Sequence, residues 1–96
     1  VSLLDVVCEV EKKTNVSEVN DFFKKAAAGS MKGVLEYNEL PLVSVDYKGN
    51  EHSAIVDGLS TMVMEGSMVK VLAWYDNEWG YSCRTLDLAE LVGKNL

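Results

Sequence analysis

Residue types able to do chemistry are concentrated in one stretch of this chain. Trp74-Tyr75-Asp76-Asn77-Glu78-Trp79-Gly80-Tyr81-Ser82 lies where a hydrophobic strand pattern gives way to a helical one. Backbone amides and capping side chains converge at such junctions, which commonly present ligand-contacting groups. Asn77 carries both a donor and an acceptor, the combination that reads a carboxamide, and Tyr81, one helical turn later, can project a ring to the same side. The plainer alternative is that Asn77 caps the helix and the aromatics pack in the core. Residue chemistry alone leaves both open.

The remaining reactive residues point to no mechanism. His52, the only histidine, stands between Glu51 and Ser53 in a polar loop. A general base needs a partner that sequence adjacency does not supply, so it reads as a solvated loop residue, and alone it builds no metal site. The serines lack a G-x-S-x-G setting. The glycines form neither G-x-G-x-x-G nor a Walker loop. Cys8 and Cys83 are far apart, with no C-x-x-C spacing, and read as two reduced thiols rather than a zinc site or disulfide framework. Met62, Met64 and Met68 flank a turn and fit sheet or interface packing.

The elements that must position Asn77 and Tyr81 follow from periodicity. Residues 1 to 11 are β-branched and nearly alternating from Val6, which predicts a strand that is apolar on both faces in its first half. Asn15 and Glu18 have capping-box spacing. Val16, Val19, Phe22, Phe23, Ala26 and Ala27 then form one helical stripe, with Asp21 and Lys25 as an outward pair and Gly29 as a left-handed terminator. Gly33 to Tyr37 predicts a short strand. After Pro41, Leu42 to Tyr47 has room for an edge strand or a helical turn. Ser53 to Asp57 reads as another brief strand.

Met62 to Met64, the turn Glu65-Gly66-Ser67, and Met68 to Tyr75 make the clearest hairpin. In its second arm Val69, Val71 and Ala73 share one face and Lys70, Leu72 and Trp74 the other, the pattern of a central strand. A helix opening near Asp76 or Asn77 and ending at Gly93 follows, with Tyr81, Thr85, Leu88 and Val92 along one face. The order β-α-β-(β)-β-β-α predicts an α+β fold: a mixed, mainly antiparallel sheet with two helices packed on it. No repeat, low-complexity segment or linker interrupts it.

Composition narrows the function classes. Ninety-six residues build at most one domain and bury roughly 60–65% of their unfolded surface, which excludes a two-domain enzyme with its own cofactor domain inside these residues. Nine Lys+Arg against 15 Asp+Glu, a net charge of −6 with the bases scattered, argue against nucleic acid and against an anionic membrane surface. There is no apolar run of membrane-spanning length and no secretory signal, so a cytoplasmic location is expected. The start at Val1 without an initiator Met fits a processed protein or a piece of a longer one.

Against this background, Val69 to Ser82 closely resembles the C-terminal signature of phosphorylating glyceraldehyde-3-phosphate dehydrogenase. Val1-Ser2-Leu3-Leu4-Asp5-Val6, Met31-Lys32-Gly33-Val34-Leu35-Glu36-Tyr37 and His52-Ser53-Ala54-Ile55-Val56-Asp57 resemble further family segments in family order, so the likeness covers essentially the whole chain. Glu39-Leu40-Pro41-Leu42-Val43-Ser44, with the His52 segment, looks most like bacterial or plastid-type members. Erythrose-4-phosphate dehydrogenase has a similar pattern there.

The resemblance implies a C-terminal-domain-like fold within a homotetrameric enzyme. In that enzyme a cysteine thiolate attacks the aldehyde of a sugar phosphate, hydride passes to NAD or NADP, and inorganic phosphate releases an acyl phosphate. Carried over by position, Asn77 would hydrogen-bond the nicotinamide carboxamide and Tyr81 would lie near the same ring. It also implies a helical turn at Leu42 to Asp46. The family's nucleophile, activating histidine and substrate-phosphate arginine lie upstream of the position matching Val1, as does its nucleotide-binding domain. Cys8, Cys83, His52 and Arg84 match none of them.

The expectation is therefore the C-terminal portion of a catalytic domain that supplies scaffold and one nicotinamide contact, inactive alone and partnered with the remainder of the enzyme. The alternatives are an erythrose-4-phosphate dehydrogenase segment and a free-standing α+β binding or interaction module. Neither the substrate nor NAD against NADP is readable, since the discriminating acid belongs to the first βαβ unit.

Overall fold

The long apolar strand Met68–Tyr75 is the spine of the sheet, and its neighbours explain why both its faces carry apolar residues. A computed structural model describes residues 1–96. Its elements are β1 (Ser2–Glu9), α1 (Val16–Ala28), β2 (Leu35–Asn38), β3 (Ala54–Asp57), β4 (Met62–Met64), β5 (Met68–Tyr75) and α2 (Trp79–Lys94). β1 runs antiparallel to β5 along its whole length, from Ser2 opposite Tyr75 to Glu9 opposite Met68. On the other edge of β5, β3 pairs through Ile55 and Val56, and β4 pairs with Met68 to Lys70. β2 then joins β3 in parallel. The fold is α+β, a mixed and mainly antiparallel sheet with two helices, as the sequence predicts.

The predicted hairpin is present in full. Its turn places Glu65 and Gly66 at φ 55° and 75°, closed by Ser67 N–H donating to the Met64 carbonyl at 3.2 Å. Two successive left-handed residues match the twist of the flanking strands. Between β2 and β3 the alternation of Leu42 to Tyr47 resolves as a 3-10 turn over Ser44–Tyr47. The Asp46 carboxylate accepts from the Val43 N–H at 2.8 Å. The bracketed strand of the predicted order is β3.

α1 begins as its cap predicts, with Asn15 Oδ1 accepting from the Glu18 N–H at 2.9 Å. The reciprocal half of the capping box is not formed, because the Glu18 carboxylate accepts from the Thr14 hydroxyl instead, at 2.9 Å. Gly29 ends the helix at φ −117°, not in the left-handed region. Gly33, at φ 83°, takes that conformation just before β2. The predicted Asp21–Lys25 pair does not form; the ion pair made by α1 is a tertiary one, between Lys24 and Glu39 at 3.1 Å. Val19, Phe23, Ala26 and Ala27 face inward, whereas Phe22 remains 68% exposed.

Two neighbours of the 3-10 turn Gly58–Ser60 fix α1 over the sheet. Asn20 donates to the Gly58 carbonyl at 2.9 Å and accepts from the Thr61 hydroxyl at 2.7 Å. Tyr37 packs so closely on Gly58 that a Cβ there would collide with the phenol ring. The buried core gathers where β2, β3 and β5 meet: Leu35, Tyr47, Ile55, Val56, Val69 and Ala73. An apolar groove of about 660 Å³ opens between α1 and the β1 side of the sheet, lined by Val6, Cys8, Phe22 and Val71 among others. Leu3, Leu4, Val6 and Val7 of β1 are all exposed, so the strand read as apolar on both faces is covered on neither.

α2 packs through its first turns. Gly80 is buried, and a Cβ on it would lie 2.7 Å from the His52 carbonyl oxygen. Arg84 Nη1 donates to the Glu51 carbonyl at 3.2 Å. Beyond that, Leu86, Leu88, Leu91 and Val92 are exposed, and the helix runs through Gly93 to Lys94 instead of stopping at the glycine. No helix is long and apolar enough to cross a membrane.

Candidate functional site

The register of β1 on β5 brings the start of the chain beside the strand-to-helix junction. Ser2 faces Tyr75 across the pair, and two residues further on its hydroxyl donates to Asn77 Oδ1 at 2.8 Å. Asn77 Nδ2 makes no hydrogen bond within the chain. The result is an exposed amide on a rigid shelf, with its acceptor end engaged and its donor end open.

Asp76, not Asn77, caps α2. Asp76 Oδ1 accepts from the Glu78 and Trp79 N–H groups, each at 3.0 Å. Its Oδ2 accepts from the Gly49 N–H at 2.9 Å. The Gly49 N–H, followed by those of Glu78 and Trp79, holds the Asp76 carboxyl down at about 2, because each bond favours the charged form. One side chain thus ties the loop after the 3-10 turn to the mouth of α2. Asp76 and Asn77 were equally plausible caps in the sequence, and the tertiary contact with Gly49 is what separates them.

Just before the junction Trp74 stacks on Tyr47, with ring centroids 5.3 Å apart and planes 11° from parallel. Trp74 Nε1 donates to Asp57 Oδ2 at 3.4 Å. Tyr47 is 2% exposed and its hydroxyl has no hydrogen-bond partner. Burial raises the pKa of this phenol, and the nearby carboxylates of Asp57, Glu36 and Asp46 raise it further. The aromatic pair ties the 3-10 turn Ser44–Tyr47 to β5, the strand that leads into the Asp76–Asn77 turn.

Two hollows flank Asn77. One of about 470 Å³ is bounded by Val1, Ser44, Lys48, Asp76 and Asn77. The other, about 260 Å³, is bounded by Ser53, Tyr75, Asp76, Asn77, Tyr81 and Arg84. Asn77 and Tyr81 therefore border the same hollow, though Tyr81 is 78% exposed. Arg84 on its rim is engaged elsewhere, with Nε donating to Asp87 at 2.8 Å and Nη1 to the Glu51 carbonyl and the Ser53 hydroxyl.

His52 is not the solvated residue its neighbours suggest. Its Nδ1 lies 2.9 Å from Asn50 Oδ1 and 3.5 Å from Glu36 Oε2. Asn50 Nδ2 donates to the same carboxylate oxygen at 2.8 Å. Glu36 lies on β2, and the sequence carries no signal for a partner on another strand. The network braces the loop that seats Gly80. Cys8 and Cys83 are free thiols on β1 and α2, and no cluster of three or more His, Cys, Asp or Glu side chains is suited to a metal. What the shelf offers chemically is orientation: an amide donor, a phenol and a hydroxyl around an open hollow.

Comparisons with known proteins bear on the same residues. A family model described as the C-terminal domain of glyceraldehyde 3-phosphate dehydrogenase matches residues 1–77. The chain is 57% identical over 96 residues to glyceraldehyde-3-phosphate dehydrogenase 2 of Bacillus subtilis, covering all of this chain and 28% of that protein. It is 60% identical over 95 residues to glyceraldehyde-3-phosphate dehydrogenase 2 of a Synechocystis species, covering 99% and 28%. Against the chloroplastic glyceraldehyde-3-phosphate dehydrogenase A of Chlamydomonas reinhardtii it is 56% identical over 94 residues, covering 98% and 25%. The chain thus spans little more than a quarter of the length of these relatives.

Proposed function

Because the chain belongs to the glyceraldehyde-3-phosphate dehydrogenase family, in the part described as its C-terminal domain, we propose that it is the C-terminal portion of the catalytic domain of a phosphorylating dehydrogenase. The parent enzyme, a glycolytic and cytoplasmic homotetramer in this reading, oxidises glyceraldehyde 3-phosphate with NAD or NADP and inorganic phosphate to an acyl phosphate. Its nucleophile, activating histidine and nucleotide-binding domain come from the remainder of the enzyme, which also covers the exposed apolar residues of β1. The 96 residues alone provide scaffold and one cofactor contact, and are inactive.

Asn77 is the residue assigned to the cofactor. A carboxamide carbonyl needs a donor, and the open Nδ2 end of Asn77 is one. The nicotinamide, when bound, accepts the hydride. The part of Asn77 is to fix the turn of the ring relative to the reacting aldehyde, an orientation effect that lowers the entropy cost of transfer. Tyr81 borders the same hollow and is assigned to limit how far the ring can tilt.

The observation that carries this reading is the Ser2–Asn77 bond at 2.8 Å, which leaves the amide donor of Asn77, a residue bordering two hollows, without a partner in the chain. It is tested by Asn77→Ala in the full-length enzyme. Cofactor KM should rise and kcat should fall while the protein stays folded. Unchanged values of both would take Asn77 out of the site. The inactivity of the piece is tested separately: aldehyde- and phosphate-dependent formation of NADH or NADPH by the pure 96-residue chain would refute it.

A further inference from the structure

We propose that Asp76 is a positioning residue for the cofactor contact: its second carboxylate oxygen holds the Lys48-Gly49 loop to the strand-to-helix junction and so fixes the place of Asn77. The inference rests on the reading of Asn77 given above. It gives the side chain that caps α2 a second, separable task.

The two oxygens have different partners. Oδ1 accepts from the Glu78 and Trp79 N–H groups at 3.0 Å each, which is the task of a helix cap, and one that Asn or Ser performs about as well. Oδ2 accepts from the Gly49 N–H at 2.9 Å, across 27 positions of chain. The start of a helix does not require that bond. It is the only hydrogen bond joining residues 44–50 to residues 75–78. The stack of Tyr47 on Trp74 anchors the near end of this loop to β5, and the Oδ2 bond anchors its far end to the junction. Gly49 turns there at φ 79°, a conformation glycine adopts without strain. Lys48, just before it, bounds the hollow of about 470 Å³ together with Ser44, Asp76 and Asn77. Asp76 immediately precedes Asn77, so a carboxylate gripped from both the loop and the helix fixes the backbone from which Asn77 projects. It also sets the separation of Asn77 from Lys48 across the hollow.

The test uses the full-length enzyme, unmodified and as Asp76→Asn, Asp76→Ser, Asn77→Ala and Asp76→Asn/Asn77→Ala. Asn keeps a capping oxygen but sets an NH2 group against the Gly49 N–H, and Ser keeps a capping hydroxyl with no second oxygen. Measured for each are kcat, Kd for NAD or NADP, whichever the enzyme uses, and Kd for the matching ADP-ribose, which lacks the nicotinamide. Both single variants at position 76 are expected to weaken the dinucleotide roughly three- to tenfold, the size of one ordinary hydrogen bond. They should also lower kcat and leave ADP-ribose binding as it was. Damage to the fold alone would weaken both ligands alike, and that result would overturn the proposal. In the double variant the change at Asp76 should cost nothing beyond Asn77→Ala, since it acts through Asn77; a further multiplicative loss would also overturn it. Dinucleotide binding unchanged in both position 76 variants, beside an impaired Asn77→Ala, would refute the role of Asp76 and leave that of Asn77 standing. An unimpaired Asn77→Ala would remove the carboxamide reading itself, and this inference with it.

Discussion

Gly80 lies directly against the carbonyl of His52, so closely that a Cβ on Gly80 would sit 2.7 Å from that oxygen. The contact is between backbones, so no side chain can turn away to relieve it. It seats the first turn of α2, which carries Tyr81, on the loop braced by Asn50 and Glu36. Gly80→Ala should therefore displace α2 or the loop, at a cost of about 1–3 kcal/mol. In the full-length enzyme we expect a lower melting temperature together with a raised cofactor KM. An alanine variant with wild-type stability and affinity would show that the seat yields without consequence.

Asp76 gives α2 an acid-sensitive start. Its pKa falls from an ordinary 3.8 to about 2 in the folded chain. A lowered carboxyl pKa stabilises the fold at pH values above the ordinary one, and that contribution is lost as pH falls through the folded value. Between about pH 4 and pH 2 the first turn of α2 should loosen, with the amide resonances of Glu78 and Trp79 moving together as the Asp76 carboxyl takes up its proton. Asp76→Asn, which cannot titrate, should abolish that movement. A titration centred near 3.8 in the wild type would contradict the three N–H bonds.

The Tyr47 hydroxyl is buried without a partner, and burying such a group costs about 1–3 kcal/mol. Tyr47→Phe removes the oxygen and keeps the ring that stacks on Trp74. The substitution should be neutral or stabilising, by up to about 2 kcal/mol, and should raise the thermal midpoint without altering cofactor affinity. A clear loss of stability would mean that the hydroxyl is satisfied in the working protein.

Most of the scaffold was legible because it is written in local patterns. The alternation of Met68 to Tyr75 marked the central strand, the Glu65-Gly66 pair marked its turn, and Asn15 marked the start of α1. The departures come from competing partners, one of them local and the others distant in sequence. Glu18 bonds Thr14 rather than completing its box, and the ion pair of α1 runs from Lys24 to Glu39 instead of between Asp21 and Lys25. His52 meets Glu36, sixteen positions back on β2. Asn77 was legible as a candidate from its place at the junction, and the cap it seemed equally suited to make went to Asp76 because Gly49 comes within reach of that carboxylate. Ser2 carried no signal at all: a serine beginning a strand acquires meaning only from the register that sets it opposite Tyr75.

That register also has a kinetic side. The hydrogen bond from Ser2 to Asn77 spans 75 positions, nearly the whole chain, and the hairpin and α1 can form long before so large a loop is closed. Closing distant segments is slow because chain entropy is lost before any contact rewards it. The amide shelf is then among the last features to be assembled, present only in molecules whose first strand has found its place beside β5. A partly folded chain would hold most of its secondary structure while the Ser2 hydroxyl and the Asn77 amide are still apart.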